Sequence, residues 1–319
     1  MKCFRFAVMG CGVIARKFCQ AVELLEKCVV VAVSSKSLEK ARTLANEFHI
    51  AEAYDNYETM LREEKPDCVY IAVTPNAHFE LTMLCMDYSV PVLCEKAMFR
   101  NSQEASIVFE RAKQKNIFVM EALWSRFLPA LKEAKKWVTE NKIGKITYCE
   151  VTLGFLADIK NNYRIFAPEL SGGAAYDLTV YAYQIATFFL GNDMKEIQTS
   201  AIWADEGIDY TNHVMLRYEE KIASLNTSIV SHMQERIVIC GEEGRIEIAH
   251  PHYGDEAYLI HKNKEKNMHF VDQETKNGFI YEIQETMQCI KHGKIESEIV
   301  PHMDTLNCSK LFDMILATK

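Results

Sequence analysis

The chain has 319 residues, enough for about two domains at ~100–200 residues each. Apolar residues make up 49% and charged residues 25%, which excludes a disordered, collagen-like or fibrous chain. The net charge of −8 excludes a protein built mainly to grip a polyanion, so no nucleic-acid partner is expected.

The 11 cysteines are scattered, odd in number and free of C-x-x-C pairs. Cys3, Cys11, Cys19 and Cys28 lie among apolar neighbours. This usage suits reduced thiols in a cytoplasmic protein, and the spacing offers no zinc or iron–sulfur site, so no metal is expected. No apolar run approaches the ~18 residues of a membrane helix. Lys2 and Arg5 precede an apolar stretch as in a signal peptide, but Gly10 and Gly12 interrupt it and no small-residue cleavage site follows.

Strands and helices alternate in the first third. Phe4–Met9, Cys28–Val33, Cys68–Val73, Val90–Cys94 and Ile117–Met120 read as strands. Helical spacing covers Val13–Leu25, Leu38–Phe48 with Ser37 as N-cap, Tyr57–Glu64, His78–Tyr88 and Gln103–Asn116. Such apolar strands between helices predict a doubly wound parallel sheet with helices on both faces. After about residue 120 the rhythm changes. Leu131–Asn141 is helical; Ile146–Leu153, Val214–Tyr218, Ala223–Ser228, Glu235–Cys240 and Arg245–Ala249 alternate with period two. Two helices close the chain, at about 279–292 and 303–317. The second domain is therefore α+β with a large open, mostly antiparallel sheet, one face of which is free for solvent or a partner. The expected division is 1–120 and 121–319, with the last helix able to pack back on the first domain.

Gly10-Cys11-Gly12-Val13-Ile14-Ala15 fits G-x-G-x-x-A after a strand and at the opening of a helix. Gly10 permits the tight turn, Gly12 the close approach of a pyrophosphate, and the N–H groups around Val13 and Ile14 offer the positive end of the helix dipole. The alternative is a glycine turn used only for packing. An acid at the end of the second strand would hold a ribose 2′-hydroxyl. Here the chain reads Val33-Ser34-Ser35-Lys36, with no acid before Glu39. Ser35, Lys36 and Lys40 would seat a 2′-phosphate instead, which favours NADP over NAD. The alternative is two solvated helix lysines.

Three clusters carry candidate chemistry. Glu95-Lys96 ends a buried strand, at the sheet edge where ligands bind in open α/β folds. There the Lys96 ammonium can polarise a substrate oxygen while Glu95 steadies its charge. The alternative is a strand-end lysine reaching into water. Asp177 and Tyr181 lie four apart on a helix introduced by Gly172 and Gly173. Beside a cation such as Lys96, Tyr181 can exchange a proton with a substrate oxygen while hydride moves at a nicotinamide, and Asp177 can bind a substrate hydroxyl. The alternative makes Tyr176, Tyr181 and Tyr183 core aromatics. Trp124 and Arg126, after the last strand of the first domain, can wall a substrate pocket and meet a cofactor amide or phosphate; both can equally be packing residues.

In order and spacing, Gly10–Ala15, Leu93–Lys96, Glu121–Pro129, Arg164–Tyr181 and the Gly241–Ile246 turn resemble the glucose–fructose oxidoreductase / inositol dehydrogenase (Gfo/Idh/MocA) family, and within it the dimeric dihydrodiol dehydrogenase group. The resemblance covers nearly the whole chain. It implies a Rossmann domain, an open-sheet domain whose exposed face makes a homodimer or higher homo-oligomer, and an NADP-dependent oxidoreductase acting on a hydroxyl or carbonyl of a sugar or cyclic diol. The family's catalytic lysine falls on Lys96 and its D-x-x-x-H/Y element on Asp177 and Tyr181. The 2′-phosphate arginine of the dihydrodiol group falls on Lys36, and Thr74, Pro75, Asn76 and His78 fall in the cofactor loop. Trp124, Phe155, Tyr163 and Arg164 are candidates for the substrate wall. Three departures stand out: Ala97 replaces the proline of E-K-P, Thr179 replaces a glycine, and Leu153 replaces an aromatic pocket residue. A cis non-proline bond costs ~3 kcal/mol, so a trans Lys96–Ala97 bond is expected. Two other readings remain at this point: an NADP-binding sensor without turnover, and a keto-sugar or inositol-type reductase using NAD.

Overall fold

The structure is a computed structural model and describes residues 3–158, 160 and 163–319; Lys2 lies outside the described residues. In chain order the first elements are β1 (Phe4–Met9), α1 (Val13–Glu23), β2 (Cys28–Ser34), α2 (Leu38–Glu47), β3 (Glu52–Tyr54), α3 (Tyr57–Glu64), β4 (Cys68–Ile71), α4 (His78–Asp87), β5 (Val92–Glu95), α5 (Ser102–Lys115) and β6 (Val119–Ala122). Then come α6 (Pro129–Thr139), β7 (Ile146–Gly154), α7 (Val180–Leu190), β8 (Glu196–Trp203), β9 (Asp209–Arg217), β10 (Ile222–Ser228), β11 (Arg236–Gly241), β12 (Gly244–Ala249), β13 (Glu256–His261), β14 (Met268–Val271), α8 (Phe279–Lys291) and α9 (His302–Leu316).

The chain divides into two compact units: Met1–Ala122 with Lys276–Leu306, and Leu123–Thr275 with Asn307–Lys319. The first holds a six-stranded sheet in the order β3-β2-β1-β4-β5-β6, parallel throughout. This is the doubly wound order whose reversal point lies at β1 and β4. β4, β5 and β6 are buried along their whole length, which is why they read as unbroken apolar runs. Ser37 caps α2 by accepting Lys40 N at 3.4 Å, and Asn56 and Asn101 cap α3 and α5 in the same way, each worth about 1 kcal/mol.

Residues 276–306 join this unit, whereas the sequence assigns them to the second domain. The cause is local. α8 docks its apolar stripe on α1, Asn277 Nδ2 donates to Lys17 O at 2.8 Å, and Val119 N donates to Ile295 O at 3.0 Å.

The second unit is built on an eight-stranded sheet, β14-β13-β12-β11-β7-β10-β9-β8. Every pair is antiparallel except β7–β10. Cys149, Val151, Leu153, Leu225, Ile237 and Ile239 face the covered side, against which α6 and α7 pack. Tyr148, Glu150, Ser224, Asn226, Val238 and Glu247 alternate with them on the open side. Gly241–Gly244 makes the β11–β12 turn as the sequence indicates. β9 starts well before the predicted Val214, and β3, β8, β13 and β14 were not predicted.

Candidate active site

In the first unit the glycine turn closes on β1. Gly10 has φ +105°, and a Cβ there would collide with the Ala72 carbonyl, so only glycine fits. At Gly12 an added Cβ would meet nothing within 4 Å. α1 begins at Gly12 with no side-chain cap and no acid in its first turn, and Val13 beside it is 69% exposed. An open glycine, uncapped N–H groups and an exposed apolar surface together fit a dinucleotide phosphate and its neighbouring rings.

Lys36 and Lys40 are exposed and Ser35 is half-buried, its Oγ accepting Ser37 N at 3.3 Å. Burial raises the Cys11 thiol pKa to about 11, opposed by the charges of Arg16 and Lys40. Arg16 was missed by the sequence reading, though it directly follows the motif. Its Nη1 donates to Cys11 O at 3.2 Å and its Nε to Glu47 at 2.9 Å, which ties the turn to α2.

In the β4–α4 loop Pro75 is buried, and Thr74 Oγ1 donates to Asn76 Oδ1 at 2.6 Å. His78 has no exposed surface; its ring lies 3.0 Å from Ala97 O and 3.1 Å from Val73 O, which ties this loop to the residues after Lys96. Burial lowers its pKa to about 4 although the carbonyls favour the cation, so the ring is neutral near pH 7. Glu95 is buried and accepts from the Tyr70 hydroxyl and, at 3.2 Å, from Lys96 N. Burial raises its pKa, opposed by Tyr70 and the Lys96 charge. Lys96 is half-buried at the carboxyl end of β5. The Lys96–Ala97 bond is cis, which corrects the trans expectation. The expectation weighed the intrinsic cost of the isomer alone and left out the contacts around it: Ala97 O faces His78, and Met98 N donates to Glu121 Oε1 at 3.0 Å.

In the second unit a single π-turn, Ala175–Thr179, leads into α7 and carries Asp177. Tyr181 lies in the first turn of α7, and Trp124 Nε1 donates to its Oη at 2.9 Å. Arg164 Nη2 donates to Asp177 Oδ1 at 2.8 Å. These contacts bring Trp124 to Tyr181 and Arg164 to Asp177. The His252 ring lies 5.3 Å from that of Tyr181. His252 carries no sequence signal, since it sits in a loop far along the chain.

The remaining candidates are placed differently. The Arg126 guanidinium is buried on α7, donating to Gln184 O, Gln184 Oε1 and Thr187 Oγ1 at 2.7–3.1 Å. Leu153 is fully buried on the covered side of β7. Tyr163 is 63% exposed and donates to Glu169 at 2.8 Å. Phe155 lines a cavity of about 620 Å³ with Met233, His250 and Tyr258. Among the described residues no group of three or more His, Cys, Asp or Glu could hold a metal ion, and no helix is long and apolar enough to cross a membrane.

Residues 4–123 match the family model described as oxidoreductase family, NAD-binding Rossmann fold, and residues 131–247 match the GFO/IDH/MocA C-terminal domain. A scyllo-inositol 2-dehydrogenase (NADP(+)) of Bacillus subtilis is 30% identical over 317 residues, covering 97% of this chain and 95% of that one. A trans-1,2-dihydrobenzene-1,2-diol dehydrogenase of Xenopus tropicalis is 27% identical over 98% of this chain and 97% of its own. A 3-ketoreductase from Actinomadura kijaniata, solved with NADP and TDP-benzene, superposes with a TM-score of 0.88 at 20% identity, over 99% of this chain and 98% of its own. With both domain models matched in order and full-length relatives at this identity, the chain belongs to the GFO/IDH/MocA family of oxidoreductases.

Proposed function

We propose that the protein exchanges a hydride between NADP(H) and a hydroxyl or carbonyl group of a sugar or cyclic diol. The Trp124–Tyr181 hydrogen bond carries this reading: a phenol oxygen is met by an N–H donor, with an acid, Asp177, one turn earlier. Such a donor stabilises the oxygen when it loses its proton, which suits a group that must give and regain one.

The nicotinamide, when bound, supplies or accepts the hydride. The chain's own residues handle the oxygen. Tyr181 Oη gives a proton to the substrate oxygen on reduction and takes it back on oxidation. The Lys96 ammonium balances negative charge on that oxygen. Asp177, fixed on one side by Arg164, accepts from a neighbouring substrate hydroxyl. Adjacent hydroxyls of this kind define sugars and cyclic diols, the compounds after which the two curated relatives are named.

For the cofactor, the missing acid after β2 and the Ser35, Lys36 and Lys40 set support NADP over NAD. Free thiols throughout suit a cytoplasmic protein. The open side of the second sheet, with Tyr148, Ile202, Ile222 and Tyr258 exposed, suits contact between copies of the chain in a homodimer or larger homo-oligomer. Steady-state turnover on a panel of sugars and diols with NADP(H) tests the reading; a protein that binds NADPH tightly and turns over no member of the panel contradicts it.

A further inference from the structure

We infer that Asp209 is a positioning residue for proton transfer: from the start of β9 its carboxylate holds the turn that aims Asp177 and Tyr181. The inference rests on the role proposed above for Tyr181.

Asp209 is 2% exposed. Its Oδ2 accepts Ala175 N at 2.6 Å and Asn212 Nδ2 at 2.5 Å. Gly173, at φ +110°, lies so close that a Cβ there would strike Asp209 Oδ1. A side chain at 173 would therefore expel the carboxylate, which gives that glycine its reason. The arrangement continues inward. Asn212 Nδ2 also donates to Thr179 Oγ1 at 3.1 Å, and Thr179 Oγ1 lies 2.7 Å from Thr227 Oγ1 and donates to Ala174 O at 3.2 Å. The buried polar chain Asp209–Asn212–Thr179–Thr227 thus grips the π-turn at both ends, two residues before Asp177 and two before Tyr181.

This arrangement accounts for Thr179. The sequence marks it as a departure from a family glycine and a source of crowding. In the structure its hydroxyl is a fully buried link of the network. A π-turn is a single irregular turn with weak intrinsic preference, so its geometry depends on what holds it. The relative aim of Asp177 and Tyr181 is set across that turn.

Among the described residues the Asp209 carboxylate meets the N–H donors of Ala175 and Asn212, and no ion pair with it is seen. Burial raises its pKa to about 6, opposed by Asn212, by Ala175 N and by its own backbone N–H. Titratable and charged groups on the elements packed around it are Tyr176 and Asp177 on the π-turn, Tyr181 and Tyr183 on α7, Tyr210, His213 and Arg217 on β9, Glu196 on β8, and Tyr148, Cys149 and Glu150 on β7; β10 has none. Protonation weakens Oδ2 as an acceptor, so the grip on Ala175 N loosens as pH falls through about 6.

The test measures kcat, KM and NADPH affinity between pH 5 and 9 for the wild type, Asp209→Asn, Thr227→Val and Tyr181→Phe. Asp209→Asn keeps one acceptor oxygen in place of two and carries no charge, so an NH2 must take either the Oδ2 place, which meets Ala175 N and Asn212 Nδ2, or the Oδ1 place beside Gly173. Its kcat should fall about tenfold or more while NADPH affinity changes less than about twofold. The wild type should lose kcat below pH ~6, and Asp209→Asn should lack that limb. Thr227→Val should lower kcat severalfold and keep the limb, which leaves a readout if Asp209→Asn does not fold. Wild-type kcat in Thr227→Val, or in a folded Asp209→Asn, overturns the inference, as does a wild-type profile flat through pH 6. Full turnover in Tyr181→Phe overturns the role of Tyr181 instead, whereas an inactive Tyr181→Phe beside a normal Asp209→Asn removes only the role of Asp209.

Discussion

Trp124 Nε1 donates to Tyr181 Oη across 57 positions of sequence at 2.9 Å. The bond joins the short turn after β6 to the first turn of α7, and it places a neutral N–H donor on the oxygen proposed to exchange the proton. Replacing Trp124 with Phe keeps an aromatic surface and removes the donor. A hydrogen bond to a charge-bearing oxygen is worth about 1.5–3 kcal/mol. The expected outcome is a kcat lowered roughly 10- to 100-fold with NADPH affinity unchanged, read from steady-state kinetics beside a fluorescence titration.

The glycine turn gives two opposite outcomes. Gly10→Ala puts a side chain against the Ala72 carbonyl at a φ that L residues rarely adopt, so the variant should lose stability in a urea melt. At Gly12 the added methyl meets no protein atom. Gly12→Ala should therefore keep its melting midpoint and lose NADPH affinity, because the methyl occupies the ground that a pyrophosphate needs.

Cofactor choice is tested at Lys36. Lys36→Glu places an acid after β2, where a ribose 2′-hydroxyl would be held and a 2′-phosphate repelled. NADPH affinity should fall about tenfold or more while NADH affinity holds or rises, in side-by-side fluorescence titrations. Equal losses for both would assign Lys36 no part in the discrimination.

His78 makes stability depend on pH. Its pKa in the folded chain, about 4, lies below the ordinary 6.5, so the unfolded chain binds the extra proton between those values. Stability from this group is complete above pH 6.5 and is lost as pH falls towards 4, by roughly 3 kcal/mol in all. Urea melts at pH 7.5 and 5 should show the loss, and His78→Gln should show a smaller one.

Glu282 on α8 has the opposite dependence. It has no exposed surface, and burial followed by the charge of Glu95 pushes its carboxyl well above the usual range. Among the described residues neither of its oxygens has a hydrogen-bond partner. The folded chain holds the proton more tightly than the unfolded one, so this contribution is full at low pH and is lost as pH rises above the ordinary carboxylate value. Glu282→Gln removes the titration. Its gain in melting midpoint over the wild type should be larger at pH 8 than at pH 5.

The first sheet is legible in the sequence because strands such as Cys68–Ile71 and Val92–Glu95 are buried on both faces and therefore continuously apolar. β3 is three residues long, too short for a pattern to emerge. β8 alternates, but at the sheet edge its residues are half-buried at most, so polar side chains blur the rhythm. Among the candidate site residues, motif and spacing pick out Gly10, Gly12, Lys96, Asp177 and Tyr181. His252, Asp209 and Asn212 were not, because they reach the helix from loops and strands far along the chain, and only folding brings them there. Arg126 shows the converse: its charge suggested a ligand, while the fold uses it to bind the α7 backbone.

In the proposed reaction Lys96 and Tyr181 serve one substrate oxygen during hydride exchange. Stopped-flow or steady-state hydride transfer on the sugar and diol panel, with Lys96→Met and Tyr181→Phe measured beside the wild type, tests it most directly. Each variant should lose about 100-fold or more in kcat while NADPH titrates normally. Near-wild-type turnover in both variants would contradict it.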